Sequence, residues 1–434
     1  MLNYAIDGGR LAAPAIKTVC VVGLGYIGLP TAATLASRGL EVIGVDTNPA
    51  VVAAINAGHS LFSEPDLDML LQASTTLGKL RAVAAPEPAD AFIIAVPTPF
   101  NPDRSADLRF VDAAADAIAP LLAEGNVVIL ESTSPVGTTR RLTRRMAEKR
   151  PDLRFPGDRA DGHSIVHVAH CPERVLPGQM VRELIENDRI VGGMTEACAE
   201  RAEAVYAVFL RGQSFRTDAE TAELVKLVEN AYRDVNIAFA NELSIICEKL
   251  GLSVWRVIEM ANRHPRVSIL QPGTGVGGHC IAVDPWFIVS VAQEEARLIR
   301  VAREVNDSKP GLVAAQIMER ARRFKEPVIA CLGLAFKPDV DDVRESPAID
   351  VVRRLAEAGA GRVIVADPHL KGLPKALSGL PSVTFRDTMD AVRQADIVAI
   401  LVAHRAFMKL PREELLRHAV IDPTGLYYRL IGAG

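Results

Sequence analysis

Cys280 stands at the end of the run Gly273-Thr-Gly275-Val-Gly277-Gly278-His279, which holds four glycines in six residues. Glycines cost conformational entropy, so a run this dense is expected where backbone must pass close to a ligand. The thiolate of such a cysteine is a nucleophile able to add to a carbonyl carbon, and a helix N-terminus beside it lowers the thiol pKa. Two arrangements of the following residues are open. Either a helix starts at Cys280 and Asp284 lies one turn on, or Asp284 caps a helix whose first residue is Pro285 and the thiol precedes it. Both keep the Asp284 carboxylate near the thiol. Lys226 and Asn230, four apart in a stretch of strong helix formers, share one helix face, a pairing that is as often a solvated stripe.

A second constellation suits a dinucleotide. Gly23-Leu-Gly25-Tyr26-Ile27-Gly28 follows the β-branched run TVCVV and opens a helical pattern, and Asp46 closes the next apolar run 18 residues after Gly28. The first glycine permits a tight turn, the second close approach of the pyrophosphate, the third packing of helix on strand. Asp46 would accept hydrogen bonds from a ribose diol and repel a 2′-phosphate, which favours NAD over NADP. Thr98 and Thr133 each fall just after a predicted strand, where open α/β sheets keep their ligand loops.

Positioning these groups requires strands alternating with helices. Runs at 18–23, 41–45, 91–96, 127–130 and 167–169 read as strands separated by helical stretches, the pattern of a doubly wound parallel sheet. From Ala219 to Lys249 and Val254 to Asn262 the chain reads as helix, and helical spacing returns from Trp286 to Asn306. Alternation resumes at 328–333, 362–366, 395–402 and 419–421, with Asp367 closing a strand as Asp46 does. The expected fold is α/β, two Rossmann-like doubly wound domains joined by a central helical section. The expected boundaries are an arm at 1–17, an NAD-binding domain at 18–217, the helical section with the cysteine loop at 218–310, and a second Rossmann-like domain at 311–434.

Composition narrows the function classes. Lys plus Arg number 49 against 53 Asp plus Glu, a formal charge of −4 that gives no basic field for nucleic acid. No apolar run nears the ~18 residues that span a bilayer, and residues 1–17 lack the marks of a leader. The six cysteines show no CxxC pair and no spacing to histidine that suits zinc, so no metal is expected, and a reducing, cytoplasmic setting is.

With these residues in hand, the chain resembles the UDP-glucose/GDP-mannose dehydrogenase family from Thr18 to about Tyr428. The strings GLGYIGLP, STSPVG, CPERVLPG, AELVKLVENAYRDVNIAFANE, GVGGHCIAVDPWF and GLAFKPDVDDVRESP occur in family order. The resemblance implies a homodimer or higher homo-oligomer built on the central helices, a C-terminal domain that binds the UDP-sugar, and a four-electron oxidation of the sugar C6 alcohol to a carboxylate with two NAD in turn. It implies that Lys226 and Asp284 assist removal of the hydroxyl proton, that Asn230 and Lys226 steady the oxyanion, and that Cys280 carries a thiohemiacetal and then a thioester. It places Glu173 and Thr133 at the hydrolytic water, and Arg174, Val175, Arg266, Gly277 and Lys337 at the substrate. Arg344 is implied at the cofactor. One departure is Pro177, where the glucose enzymes carry a second glutamate. A two-electron hydroxyacid dehydrogenase could share a Lys-x-x-x-Asn helix, and Cys280 separates the two reactions.

Overall fold

Valine, isoleucine and alanine dominate the predicted strands without polar alternation, which is what a strand covered on both faces requires. The computed structural model bears this out and describes residues 6–7, 10–11, 16–62, 64–157, 166–176, 178–278 and 280–432. Two short strands of the N-terminal arm, β1 (Ile6–Asp7) and β2 (Arg10–Leu11), pair antiparallel. The described chain then forms two compact units, one up to Val228 and one from Glu229 onward.

The first unit runs β3 (Thr18–Val22), α1 (Gly28–Ser37), β4 (Glu41–Val45), α2 (Pro49–Asn56), α3 (Leu67–Thr76), β5 (Leu80–Val83), β6 (Ala91–Ile94), α4 (Arg109–Ile118), β7 (Val127–Leu130), α5 (Thr138–Lys149), β8 (His167–His170), α6 (Met180–Glu186), β9 (Arg189–Gly193), α7 (Glu196–Tyr206) and β10 (Ser214–Asp218). Its eight-stranded sheet has the order β10-β9-β8-β7-β6-β3-β4-β5. The six strands β3 to β8 thus reproduce the 3-2-1-4-5-6 order of a dinucleotide-binding sheet. All neighbours are parallel except β8 and β9, which run antiparallel. Val19 and Val21 of β3 join one core with Leu29 and Leu35 of α1, while Cys20 and Val22 join a second core with Val111 and Ile118 of α4. The alternation within one strand seals both faces, and each such buried side chain contributes about 1.5–3 kcal/mol.

Helix α8 (Ala219–Leu250) begins in the first unit and continues through the second. The second unit adds α9 (Val254–Ala261), α10 (Asp284–Val291) and α11 (Arg297–Ala321). The continuous helical stretch expected from Trp286 to Asn306 is in fact two helices, broken where Ala292 leaves helical geometry at ψ 60°. α11 runs well past Asn306, carrying Pro310 in its interior. A proline there forfeits one helical hydrogen bond, and burial of Pro310 beside Val313, Ala314 and Ile317 offsets that loss. Asp234 of α8 and Arg303 of α11 pair in full burial at 2.6 Å, and Asn306 adds a hydrogen bond to the same carboxylate oxygen at 2.8 Å.

The chain closes with β11 (Val328–Leu332), α12 (Pro347–Glu357), β12 (Arg362–Ala366), β13 (Val383–Phe385), α13 (Thr388–Gln394), β14 (Ile397–Ile400), α14 (Arg412–Leu415), β15 (Ala419–Ile421) and α15 (Leu426–Ile431). These strands form a parallel sheet of order β13-β12-β11-β14-β15. β5, β9, β10 and β13 escape the sequence reading because Arg81, Gly192, Arg216 and Thr384 break their apolar runs.

Candidate active site

In the first unit the strand order reverses between β3 and β6, so the loops after these two strands flank a crevice. Gly23 has φ +96°, and a Cβ there would lie 2.5 Å from the carbonyl oxygen of Ala95. A Cβ on Gly28 would lie 1.8 Å from the Gly23 oxygen. These two glycines are demanded by the protein's own packing. Gly25 differs: it is exposed, and a Cβ would meet no atom beyond its chain neighbours within 4 Å among the described residues. The space beside Gly25, at the start of α1 (Gly28–Ser37), fits a pyrophosphate approached by backbone and a helix N-terminus. Tyr26 is exposed and stacks on Phe62 with ring centroids 4.4 Å apart, and Ile27 immediately precedes the helix.

Asp46, directly after β4, accepts from the backbone N–H of Leu24 at 3.1 Å and of Asn48 at 2.8 Å. It therefore holds the glycine turn in place while staying half-exposed, with lone pairs left for a diol. Thr98 donates its hydroxyl proton to the carbonyl of Thr133 at 2.7 Å, tying the loop after β6 to the loop after β7. Glu223 of α8, fully buried, accepts from the N–H groups of Gly137 and Thr139 and from the Thr139 hydroxyl, and so caps α5. Lys226, one helical turn on, is half-buried, and its charge adds to the effect of burial in pushing His170 down to about 3.

Glu173 follows β8 and is only 8% exposed. Its Oε1 accepts from the N–H of Arg174 at 2.8 Å, and its Oε2 accepts from the buried guanidinium of Arg189. The Arg174 side chain reaches the carbonyl of Asp188, and the Val175 side chain packs on the sheet's core. Glu131, Arg189 and Tyr206 join Glu173 in one buried group that the sequence reading did not single out. The one signal available was a glutamate placed directly after four apolar strand residues.

In the second unit, the cysteine loop adopts neither of the two expected arrangements in full, and is nearer the second. α10 begins at Asp284 with Val283 as the capping residue, so Pro285 is second in the helix and the thiol precedes it. The carbonyl of Cys280 accepts from the N–H of Val283 at 3.0 Å and of Asp284 at 2.8 Å, one turn that leads into the helix. Asn230 of α8 donates its amide to Asp284 Oδ2 at 2.6 Å, which orients the carboxylate. Cys280 is exposed, whereas Cys20, Cys171, Cys198, Cys247 and Cys331 are buried. Burial pushes the Cys20 thiol up to about 11 and that of Cys331 up to about 12.

The glycines of this loop have a reason other than the ligand approach expected of them. A Cβ on Gly277 would lie 2.3 Å from the Glu345 carbonyl oxygen, one on Gly278 would lie 2.9 Å from the Phe336 ring, and one on Gly275 would lie 3.0 Å from Pro347. The loop is pressed onto the segment 336–347 of the same unit, and Gly273 is tied to Asn241 of α8 by a 2.9 Å hydrogen bond. Lys337 is half-buried with its ammonium 5.6 Å from the Phe336 ring centroid. Arg344 is exposed and engages Asp342, and Arg266 is exposed in the turn after α9. Pro177 and His279 lie outside the described residues.

Asp367 mirrors Asp46: it accepts from Leu334 N–H at 2.7 Å and from His369 N–H at 2.9 Å. It is buried and also bonded to His404 at 3.1 Å, so it braces the turn and is closed to a ribose. Asp339, His369 and His404 come close enough to suggest a metal, but both ring nitrogens of His404 are taken, by Asp367 and by the N–H of Asp339.

Models of the UDP-glucose/GDP-mannose dehydrogenase family match residues 17–210 as its NAD binding domain, 220–308 as its central domain and 330–427 as its UDP binding domain. The chain belongs to this family. It is an NAD-dependent nucleotide-sugar dehydrogenase. Among the relatives of this dehydrogenase, an NDP-N-acetyl-D-galactosaminuronic acid dehydrogenase of Ralstonia nicotianae is 58% identical over 95% of this chain and 96% of its own length. A UDP-N-acetyl-D-mannosamine dehydrogenase of Campylobacter jejuni is 54% identical over 92% of this chain and 98% of its own. The structure of the UDP-N-acetyl-mannosamine dehydrogenase of S. aureus superposes with a TM-score of 0.83 at 41% identity, covering 94% of this chain and 95% of that one. No helix among the described residues is long and apolar enough to cross a membrane.

Proposed function

We propose that the dehydrogenase oxidises UDP-N-acetyl-D-mannosamine at C6 to UDP-N-acetyl-D-mannosaminuronate, a precursor for surface polysaccharide, in the cytoplasm. The observation that carries the four-electron reading is Cys280, the exposed cysteine on a braced loop one turn before Asp284. The sugar rests on likeness: CPERVLPG, NRHPRVSILQPG and GGHCIAVDPWF resemble the UDP-N-acetyl-D-mannosamine enzymes, and relatives so named are 50–54% identical. A second reading, an N-acetylgalactosamine nucleotide as substrate, is favoured by the 58% identity to the Ralstonia protein. Incubation with UDP-N-acetylmannosamine, UDP-N-acetylgalactosamine, UDP-N-acetylglucosamine and UDP-glucose tests both. Two NADH per molecule of the mannosamine substrate are expected, and turnover confined to another sugar would overturn the assignment.

NAD, when bound, supplies the acceptor for both two-electron oxidations, that of the C6 alcohol and that of the Cys280 thiohemiacetal. The glycine turn and α1 hold its pyrophosphate, with Asp46 at the ribose, Thr98 and Thr133 along the crevice, and Arg344 as a further cofactor contact. Lys226 and Asp284 assist transfer of the C6 hydroxyl proton to water. The Lys226 ammonium and the Asn230 amide stabilise the oxyanion, the kind of fixed charge that lowers such barriers most. The Cys280 thiolate then forms a C–S bond to the aldehyde carbon, keeping the intermediate on the enzyme. Glu173 takes a proton from water, which displaces Cys280 from the thioester, with Thr133 positioning the water. Backbone and side chains of Arg174, Val175, Arg266, Gly277 and Lys337 hold the UDP-sugar.

The same reading includes a homodimer. Tyr232, Phe239 and Ile246 are exposed at intervals of seven along α8, and Leu250 follows one turn on. This single apolar stripe suits a second copy of the helix. Phe239→Glu is expected to shift the protein to monomer in sedimentation, and an unchanged dimer would remove α8 from the interface.

A further inference from the structure

The carboxylate of Glu173 is one corner of a buried group. Arg189, 4% exposed, binds Glu173 Oε2 through one amino nitrogen and lies 3.5 Å from Glu131 Oε1 through the other. Its guanidinium rests 4.0 Å from the centre of the Tyr206 ring. Glu131, with a fully buried side chain, accepts the Tyr206 hydroxyl proton at 2.7 Å and has the Thr31 hydroxyl at 3.5 Å. Two carboxylates therefore share one cation out of water, within three residues of the carboxyl ends of β7 and β8, the end of the sheet where α/β proteins bind ligands. Packing alone gives no reason for this. A buried carboxylate with half a partner is costly, and an apolar residue at 131 would be cheaper.

The groups facing Glu131 are Thr31 from α1, Glu173 and Cys171 from the loop after β8, Arg189 from β9 and Tyr206 from α7. Burial pushes Glu131 up to about 7, the Arg189 charge pulls it down and the Glu173 charge pushes it further up. Burial works against the Arg189 cation, but the neighbouring carboxylates outweigh it and hold the guanidinium charged. Near neutral pH the group thus has two states. With Glu131 ionised, Arg189 is shared. With Glu131 protonated, Arg189 belongs to Glu173 alone.

We propose that Arg189 and Glu131 are positioning residues for Glu173: Arg189 fixes the carboxylate, and the Glu131 charge draws part of the guanidinium's pull away so that Glu173 can accept a proton. The inference rests on the water-activating role given to Glu173 above. In the step concerned, water gives one proton to Glu173, its oxygen bonds to the C6 carbonyl carbon, the C–S bond breaks and Cys280 leaves as thiolate. The product acid then releases its remaining proton to solvent.

The test uses the full-length enzyme with the UDP-sugar that the wild type turns over, quenched in the millisecond range. It measures NADH release and, by intact mass, the acyl adduct on Cys280 between about pH 6 and 9. Glu173→Gln is expected to accumulate adduct, with hydrolysis slowed about 100-fold or more. Glu131→Gln, which preserves shape, is expected to keep the first NADH release within about 3-fold and slow hydrolysis about 10-fold above pH 7. Its hydrolysis should also lose the rise with pH through neutrality seen in the wild type. Arg189→Lys keeps the cation without the fork and should slow hydrolysis with the pH rise retained. Wild-type rates and pH profile in Glu131→Gln, or equal slowing of both steps with a lowered Tm, would overturn the proposal. Normal hydrolysis in Glu173→Gln would instead overturn the role of Glu173 itself, and a wild type inactive on every UDP-sugar would overturn the proposed function.

Discussion

Cys280→Ser is expected to cut uronate formation by about 1,000-fold or more, because a serine hydroxyl at neutral pH is a far weaker nucleophile than a thiolate and an oxygen ester a poorer acyl carrier. Cys280 is exposed, so the change should leave stability within about 0.5 kcal/mol. The first oxidation does not need the thiol, so a quenched reaction should still show NADH in the first turnover. Stoichiometry separates the outcomes. One NADH per sugar with aldehyde or its adduct trapped on the enzyme supports covalent capture, whereas two NADH per sugar at the wild-type rate would eliminate the thioester. Equal substitutions at Cys20 or Cys331, both buried at the heart of their sheets, should change Tm and not the NADH count.

Gly25→Val and Gly28→Ala should differ in kind although they stand three residues apart. At Gly25 no atom beyond its chain neighbours lies within 4 Å of a Cβ among the described residues, so the valine should leave Tm nearly unchanged. Its branches would occupy the space read as the pyrophosphate site, and the KM for NAD should rise about 100-fold, roughly the loss of one or two anion-binding hydrogen bonds. At Gly28 a Cβ would sit 1.8 Å from the Gly23 oxygen and 3.1 Å from the Ala95 Cβ, so even alanine must push helix from strand. The expected cost is about 3 kcal/mol or more, seen as a large fall in Tm of the first unit. If Gly25→Val binds NAD as the wild type does, the cofactor does not lie over this turn.

Much of the fold was legible because strand and helix signals here are local. β4, β7, β12 and β15 fall where the sequence places them, since each is a short apolar run between polar or glycine boundaries, and α8 is one long stretch of helix formers without proline or glycine. The break after Val291 was not legible, because Ala292 to Ala296 contains no strong breaker and the interruption is set by packing. The antiparallel turn of β9 against β8 was not legible either. Pairing direction is a long-range property that leaves no mark on the strand's own residues.

The sequence by itself determined which residue types were available for the chemistry and on which elements they ride: a glycine turn and Asp46 spaced as a dinucleotide site requires, Lys226 and Asn230 on one helix, and Cys280 at the end of a glycine run. Those are matters of spacing along the chain, which covalent geometry converts directly into a shared face or a turn. Tertiary structure alone decided what each group touches. It set Asn230 on Asp284, buried Asp367 under His404 while leaving its twin Asp46 open, and turned the glycines at 275, 277 and 278 toward Pro347, Glu345 and Phe336. It also gathered Glu131, Glu173, Arg189 and Tyr206, from separate elements, around a single cation. Charges far apart in the chain reveal their coupling only when folding removes the water between them, since burial both strengthens their attraction and makes an unpaired one costly.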